Sequence, residues 1–497
     1  FDYSVSVEYP EWAPLTKAEV QKVERIGQPI GEELQVRSHV SVSRKHGMLD
    51  IAFVPIVKRD GHYQKLLNAS ITITATPKDD GQWTMDNGQW AMGKRQKVKS
   101  ASERYARQSV LAEGRWVKIA ITEDGMYRLT RSALKKMGFT NPDNVRLYGY
   151  GGYRLNEVLN PDAEYDDLEE VPLYKADSDT WLFWGNGLVY WDGNTRIFNP
   201  YATQACYFLT EADSPSQIQT VPSSETVVGG VASFTDHILY EKDEFAWFHG
   251  GRNLYDGVNY GTSNSHTYKL TTHDSQGQER LTVAFTAGAK TQTLVTPTVN
   301  GTALSEMTLA ALSQYIYGTG SVRTTDVHEY ANGSDWTIRL TSTSGNDAHL
   351  DYLALHYLRN LKPHDGFVAL TPGSTANPTQ LSVEGTGLQV MCIGKPGENA
   401  CLVAGTQDGD RYKVNVHDGS RRYVAFDPSY SFPQPTVVGQ VGNQNLHSLD
   451  SVDMVIIVPT NDKLTAQANR LAEAHRQYDR LRAEGISVLC LFTGEDK

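Results

Sequence analysis

The residues of this 497-residue chain that could do chemistry are four cysteines, 14 histidines and two acidic clusters, and their spacing restricts what that chemistry can be. No two histidines lie within four positions of each other, so the helical two-histidine zinc motif is absent. There is no Cys-x-x-Cys pair, no Gly-x-Ser-x-Gly elbow and no P-loop. The nearest approach to a dinucleotide fingerprint is Gly149-Tyr150-Gly151-Gly152-Tyr153-Arg154, where Arg154 stands in place of the third glycine; it reads as a structural turn. The acidic clusters are Glu164, Asp166, Asp167, Glu169 and Glu170, then Asp177 and Asp179. They carry the oxygen ligands calcium uses but lack the EF-hand spacing, and they read as solvated loops. No cofactor-binding, metal-binding or catalytic set emerges.

Cys392 and Cys401 flank the turn-rich run Gly394-Lys395-Pro396-Gly397-Glu398-Asn399, so a hairpin would set them face to face, as a disulfide or as two thiols depending on the compartment. Cys206 and Cys490 fall in apolar runs and read as packing. Trp181, Trp184, Tyr190 and Trp191 offer either a carbohydrate or peptide platform or, as strand aromatics more commonly do, core. His249, inside Glu244-Phe245-Ala246-Trp247-Phe248-His249-Gly250-Gly251-Arg252, would be catalytic only with a nucleophile beside it. Its structural reading is preferred, as are those of His447 in a connector and His475 on the core side of a helix.

The formal charge of -12 and a pI near 5.6 argue against nucleic acid as a main ligand. One basic stretch, Lys94, Arg95, Lys97, Lys99, Arg104 and Arg107, suits either a solvated linker or contact with anionic lipid or lipopolysaccharide headgroups. No apolar run reaches the roughly 18 residues of a membrane span. A chain opening on Phe1 with no leader fits an exported protein whose signal has been removed.

The elements that must position these residues are mostly strands. Residues 1–78 alternate apolar and polar with period two, as in Leu34 to Val42 and Ser70 to Ala75, and read as a β domain. Residues 79–114 read as a polar basic linker. Residues 115–233 form a mixed α+β module, in which Trp116–Ile121 and Met126–Leu129 are expected to pair about a Glu123-Asp124-Gly125 turn. Thr130 is expected to cap a short helix that ends at Gly138. Residues 234–446 show short strands between Gly, Asn, Asp and Ser turns, the pattern of a jelly-roll-like β-sandwich, with 432–447 as the connector out of it.

Residues 447–497 change character. Met454-Val455-Ile456-Ile457-Val458-Pro459 is a continuous apolar run suited to a strand buried on both faces. Asn461 to Glu484 carries Leu464, Ala468, Leu471, His475, Tyr478 and Leu481 on one helical face, and Gly485 and a second apolar run, Ile486 to Phe492, follow. This is one strand–helix–strand unit of a parallel sheet, which alone cannot cover both faces of such a sheet; more strands are expected. The fold class is therefore mainly β and multi-domain, ending in the start of an α/β domain.

Three blocks, in order, carry a family resemblance. The run from Arg115-Trp116-Val117-Lys118-Ile119 through Asp124-Gly125-Met126-Tyr127-Arg128-Leu129 to Val145-Arg146-Leu147-Tyr148-Gly149 resembles the amino-terminal module of the PorU-type sortases of the type IX secretion system. Phe245 to Arg252 is similar to a second block of that family, and Val437 to His447, running into Val455 to Pro459, to the approach to its gingipain-like peptidase domain. The resemblance implies a cell-surface protein, peripheral to the outer membrane of Bacteroidetes. It implies a cysteine peptidase and transpeptidase that removes the carboxy-terminal signal domain of cargo and joins the cargo to anionic lipopolysaccharide. It implies as partners an outer-membrane PorV-type barrel, other attachment-complex proteins, cargo signal domains and anionic lipopolysaccharide, with no nucleic acid and no transmembrane segment of its own. The family's Cys–His dyad lies on later strands of the peptidase sheet, so no catalytic residue carries over here: Cys490 is inside a strand and too early. This stretch would dock and position, and would be inactive alone. Met391-Cys392-Ile393-Gly394 departs from the family pattern, which leaves room for a Cys392–Cys401 bridge as a local variation. The alternative is a secreted multi-domain β adhesin or carbohydrate-binding protein without peptidase activity.

Overall fold

The computed structural model describes all residues except 1, 27–29, 35, 44–45, 77–82, 87–88, 93–104, 156, 158–165, 193–194, 224–226, 228, 314–315, 374–377, 395–399, 417, 451, 453, 460–461, 478–487 and 494–497. Most of the basic stretch, Glu164, Tyr478 and Leu481 therefore lie outside the described residues. The chain divides into two units, Phe1–Ser100 and Ala101–Lys497.

In the first unit, strand His62–Thr76 pairs antiparallel with Asp2–Pro14 on one side and Ile56–Arg59 on the other. Val36–Ser43 and His46–Phe53 form a separate ladder. The unit also has a helix, Lys17–Ile26, among the expected strands. Its start was written in the sequence as a capping box: the Glu19 carboxylate accepts the Thr16 N–H at 2.8 Å while Thr16 Oγ1 accepts the Glu19 N–H at 3.4 Å. Trp83–Asp86 and Gln89–Met92 pair as a short hairpin inside the stretch read as linker.

The second unit is mainly β, built from stacked sheets. The first sheet runs in the order Glu170–Val171, Val145–Gly151, Ala205–Glu211, Trp116–Ile121, Thr436–Val441, and the second in the order Tyr174–Lys175, Thr180–Gly185, Gly125–Thr130. Ile119, Leu147, Phe183, Tyr207 and Leu209 fill the space between them. The expected hairpin of Trp116–Ile121 with Met126–Leu129 does not form. Gly125–Thr130 pairs instead with Thr180–Gly185. The reason is that both strands are apolar on the face they share, so the 123–125 turn carries the chain across to the facing sheet, where the two faces bury each other. Helix Arg131–Lys136 begins as expected, with Thr130 Oγ1 accepting the Ala133 N–H at 3.2 Å, and ends at Gly138 with φ +91.

Strand Thr180–Gly185 is apolar throughout because both of its faces are covered. Trp181 and Phe183 point to the module's core, while Leu182 and Trp184 join Met126, Met391, Leu402, Val424, Phe426 and Phe432 in a second core. That second core belongs equally to a third sheet, Gln219–Val221, Cys401–Val403, Gln389–Ile393, Arg422–Phe426, Phe367–Leu370. The other face of the third sheet packs on a fourth, Gly229–Val231, Thr379–Glu384, Arg411–Val416, Thr406–Asp408, through Val383, Val390, Val414 and Ala425. Between Gly229–Val231 and Phe367–Leu370 the chain builds a further sandwich. Its sheets are Ser233–Glu241, Ala348–Asn360, Arg280–Ala287, Thr319–Asp326 and Ser265–Thr271, Asp335–Ser342, Thr293–Val299, Thr302–Ala303. Trp336, 1% exposed, lies in the core between them. The expected single sandwich over 234–446 is thus two sandwiches spanning residues 219–426, one entered through the edge strands of the other, and Thr436–Val441 returns to the first sheet.

The terminal strands Met454–Pro459 and Val488–Thr493 pair in parallel, with helix Asp462–Gln477 in contact with both. Val458, Ala468 and Ala472 are buried. Val455 and Ile457 are 50% and 70% exposed, so the first strand is not buried on both faces as its sequence led us to expect. Leu464 and Leu471, at 49% and 48% exposed, flank the helix's contact face rather than forming it, because two strands offer only a narrow surface to cover. Among the described residues no helix is long and apolar enough to cross a membrane.

Candidate functional site

The acidic clusters are held by the protein itself. Asp166 accepts from the Ala106 N–H at 2.5 Å and from His447 Nε2 at 2.9 Å. Asp167 accepts the Val110 N–H at 2.7 Å, and Glu170 accepts from Arg146 at 2.8 Å and from the Ser216 hydroxyl at 2.9 Å. Asp177 accepts the Asp179 N–H at 2.7 Å, and Asp179 pairs with Arg131 at 2.8 Å. These carboxylates are fasteners. The first cluster clips residues 106–110 to the 443–447 connector, where Asn445 Oδ1 also accepts the Ser109 N–H at 2.9 Å. His447, read separately from the acidic loop, is brought onto it. Among the described residues no three His, Cys, Asp or Glu side chains converge as metal ligands do.

Trp181 and Trp184 are 5% and 4% exposed, so the platform reading fails for them. Tyr190 stacks on Tyr153 at 4.9 Å between centroids. Trp191 and Arg196, on the hairpin Val189–Asp192/Thr195–Phe198, lie on the outer face of the inserted sandwich. The Trp191 ring sits 4.1 Å from His237 and 5.0 Å from His356, and Arg196 pairs with Glu241 and covers the Tyr352 ring. Burial pushes His237 down to about 4, with His356 and Arg422 acting in the same direction and Asp236 against them. A neutral imidazole is thus required at this contact. Below the ordinary histidine pKa the unfolded chain takes up a proton that the folded chain refuses, so stability is full above about pH 6.5 and falls as pH drops toward 4. The expected loss from this residue is about 2–3 kcal/mol, discounted slightly because its side chain is 28% exposed. Urea unfolding at pH 7 and pH 4.5 should show that loss within the wild-type total, and His237→Gln should reduce the total by that amount, the remainder coming from His273, His349 and His356, which burial also lowers; an unchanged loss in the variant would overturn the assignment.

The Phe245–Arg252 block is the most elaborate surface feature. The Phe245 ring stacks on His349 at 3.8 Å, and His349 Nδ1 donates to the Asp256 carbonyl at 2.8 Å. Trp247 Nε1 donates to Thr286 Oγ1 at 3.1 Å, and its indole lies in a slot between two glycines: a Cβ on Gly318 would meet Nε1 at 2.6 Å, and one on Gly288 would enter the ring. Anchored this way, the chain turns through positive φ at two non-glycine residues, Phe248 (59°) and His249 (54°). Phe248 is left 73% exposed against Tyr317, 63% exposed, at 4.3 Å. Arg252 closes the block by donating to Glu157 at 2.8 Å and to the Tyr201 hydroxyl at 3.2 Å. Among the described residues His249 makes no side-chain hydrogen bond. The sequence signal that could have found the slot is the pair Gly288 and Gly318, but both are remote from Trp247 in the chain.

Cys392 and Cys401 occupy directly opposite positions of antiparallel strands Gln389–Ile393 and Cys401–Val403. Cys206 lies in strand Ala205–Glu211 opposite Ala120, and Cys490 is paired with Ile456 in the terminal sheet.

No family model matches this sequence, and no curated protein matches it. Among solved structures, dimeric latent PorU from Porphyromonas gingivalis superposes with a TM-score of 0.67 at 23% identity, over 78% of this chain and 38% of that one. A family 35 carbohydrate-binding module from Clostridium thermocellum aligns over 25% of this chain and 98% of its own at 17% identity, with a TM-score of only 0.18. The chain spans well under half the length of the PorU structure it matches. What the first likeness shows is a shared fold, a multi-domain β architecture followed through most of the described chain.

Proposed function

We propose that this chain is the non-catalytic amino-terminal region of a sortase of the type IX secretion system. In this reading it docks the protein at the outer cell surface and positions a cysteine peptidase domain that begins within residues 447–497. The observation that carries the reading is the fold likeness to PorU over 78% of the chain. Two features support it. The Phe245–Arg252 block is a built, anchored surface, and the parallel pair Met454–Pro459/Val488–Thr493 has apolar Val455 and Ile457 uncovered on one face, the face a second helical layer covers in an α/β domain. We assign the division of labour to the segments 1–78, 115–233, 234–446 and 447–497. The partners are a PorV-type outer-membrane barrel, cargo signal domains and anionic lipopolysaccharide. Peptidase and transpeptidase chemistry belongs to residues other than those here.

The test uses the purified full chain and outer-membrane vesicles from a type IX-secreting bacterium with and without its PorV-type barrel. Retention only on barrel-containing vesicles, together with no thiol-dependent hydrolysis of a peptide spanning a cargo signal-domain junction, is expected. Equal retention on both vesicle types would overturn the docking role. Thiol-dependent cleavage would overturn the non-catalytic assignment.

A further inference from the structure

We propose that Cys392 and Cys401 are a redox-modifiable pair that closes to a cross-strand disulfide on meeting a disulfide oxidant. The two residues are in register across adjacent antiparallel strands, so their side chains leave the sheet on the same face. Cα atoms at such positions are about 4.5–5.5 Å apart, inside the roughly 4.4–6.8 Å that a disulfide spans. Both side chains belong to the core between the third and fourth sheets, Cys392 fully and Cys401 partly buried, and both are free thiols here. In-register spacing of this kind allows the bridge to close within the two strands as they stand paired.

The pair is also chemically asymmetric. The two thiols interact by a hydrogen bond beside Arg421, which lowers both; the net result holds Cys401 below the ordinary thiol range, while the shared hydrogen bond and burial push Cys392 up. Cys401 is also the more exposed, so it is the attacking group. Its thiolate attacks one sulfur of the oxidant's disulfide and expels the other as a thiolate, leaving a mixed disulfide. Cys392 gives its proton to the departing base or solvent, attacks the Cys401 sulfur and expels the second thiolate. Two protein thiols are oxidised to one disulfide, and one oxidant disulfide is reduced to two thiols. Oxidised glutathione or an exported dithiol oxidoreductase supplies that chemistry.

The bridge would matter because the third sheet is buried on both faces. Met391 and Leu402, next to the cysteines and pointing the other way, belong to the core shared with the module. Met391, Ile393 and Ala400 also line a cavity of about 60 Å³ with Tyr150, Trp184 and Tyr207. A covalent tie between these two strands therefore stiffens one wall of the junction between module and sandwich.

The full chain, equilibrated with oxidised and reduced glutathione at set ratios, quenched in acid, alkylated under denaturing conditions and mapped by mass spectrometry, tests the proposal. Expected are the loss of two alkylable thiols, a peptide linking 392 to 401, and no protection of Cys206 or Cys490. The thermal midpoint should rise in the oxidised form and lose that redox dependence in the Cys392→Ala/Cys401→Ala double variant. Alkylation of all four cysteines after treatment with oxidised glutathione would overturn it, as would glutathione retained on Cys401 without transfer to Cys392. The mapping requires no variant, so a folding failure of the double variant leaves the proposal open to refutation.

Discussion

Replacing Asp124 by alanine is expected to cost about 3–5 kcal/mol and to loosen the module from the sandwich behind it. The carboxylate does two jobs. One oxygen accepts the Gly187 N–H at 2.6 Å, fixing the turn after strand Thr180–Gly185, and the other takes Arg422 Nη1 at 2.7 Å from the third sheet. The side chains are only 16% and 26% exposed, and the guanidinium also covers the Trp184 ring at 4.7 Å. Removing the acid leaves a half-buried cation without its partner, the costly half of breaking such a pair. The sharper measurement is a double-mutant cycle. Arg422→Met keeps the contact over Trp184 while discarding the charge, so Asp124→Ala with Arg422→Met should recover most of the loss in urea unfolding. Additive losses would show that the two residues act independently. Hydrogen exchange should place the loosening at Gln389–Ile393 and Arg422–Phe426.

That pair also marks where the sequence stopped being legible. The two residues are 298 positions apart, and nothing local in either announces the other. What could be read was local: period-two strands, the Thr130 cap and its Gly138 terminus, and a hairpin that sets Cys392 against Cys401. The apolar run Trp181-Leu182-Phe183-Trp184 was legible as buried, but not as a layer shared by two cores, because a strand covered on both faces looks the same whatever covers it. The 123–125 turn was read as a hairpin for the related reason that a corner between facing sheets uses the same residue types as a turn within one. The capping box at Thr16–Glu19 was visible and lay in a region dominated by strand signal. The 432–447 segment gave no hint that Thr436–Val441 returns to pair with Trp116–Ile121, since edge pairing leaves little trace in composition. The candidate contact block was legible as a motif through its aromatics. Its anchoring slot was not, because Gly288 and Gly318 acquire meaning only once Trp247 lies between them.

Gly152→Ala should be the most damaging single substitution in the module, more than about 4 kcal/mol and sufficient to prevent its folding. The Gly149-Tyr150-Gly151-Gly152 run invites a ligand-loop reading, but Gly149 serves a positive φ of +121 and Gly151 and Gly152 a close approach of backbone. A Cβ on Gly152 would meet Leu188 N at 2.6 Å and also the Gly187 carbonyl, and one on Gly187 would meet Asp124 N at 2.7 Å. Three segments distant in sequence thus stack main chain on main chain, with the Gly152 N–H donating to the Asn186 carbonyl at 2.8 Å and Asn199 Nδ2 donating to the Gly152 carbonyl at 3.0 Å. Flexible side chains could give way to a methyl group; hydrogen-bonded backbone cannot without breaking those bonds. Gly301→Ala is the matched control. It has φ +91 and nothing within 4 Å of the added Cβ, so it pays only the left-handed penalty of about 1–2 kcal/mol. Comparing the two by denaturant unfolding and soluble yield separates close approach from backbone conformation. A Gly152→Ala protein no less stable than Gly301→Ala would show that this junction yields. The Asp124 prediction would then shrink with it, because Gly187 transmits both.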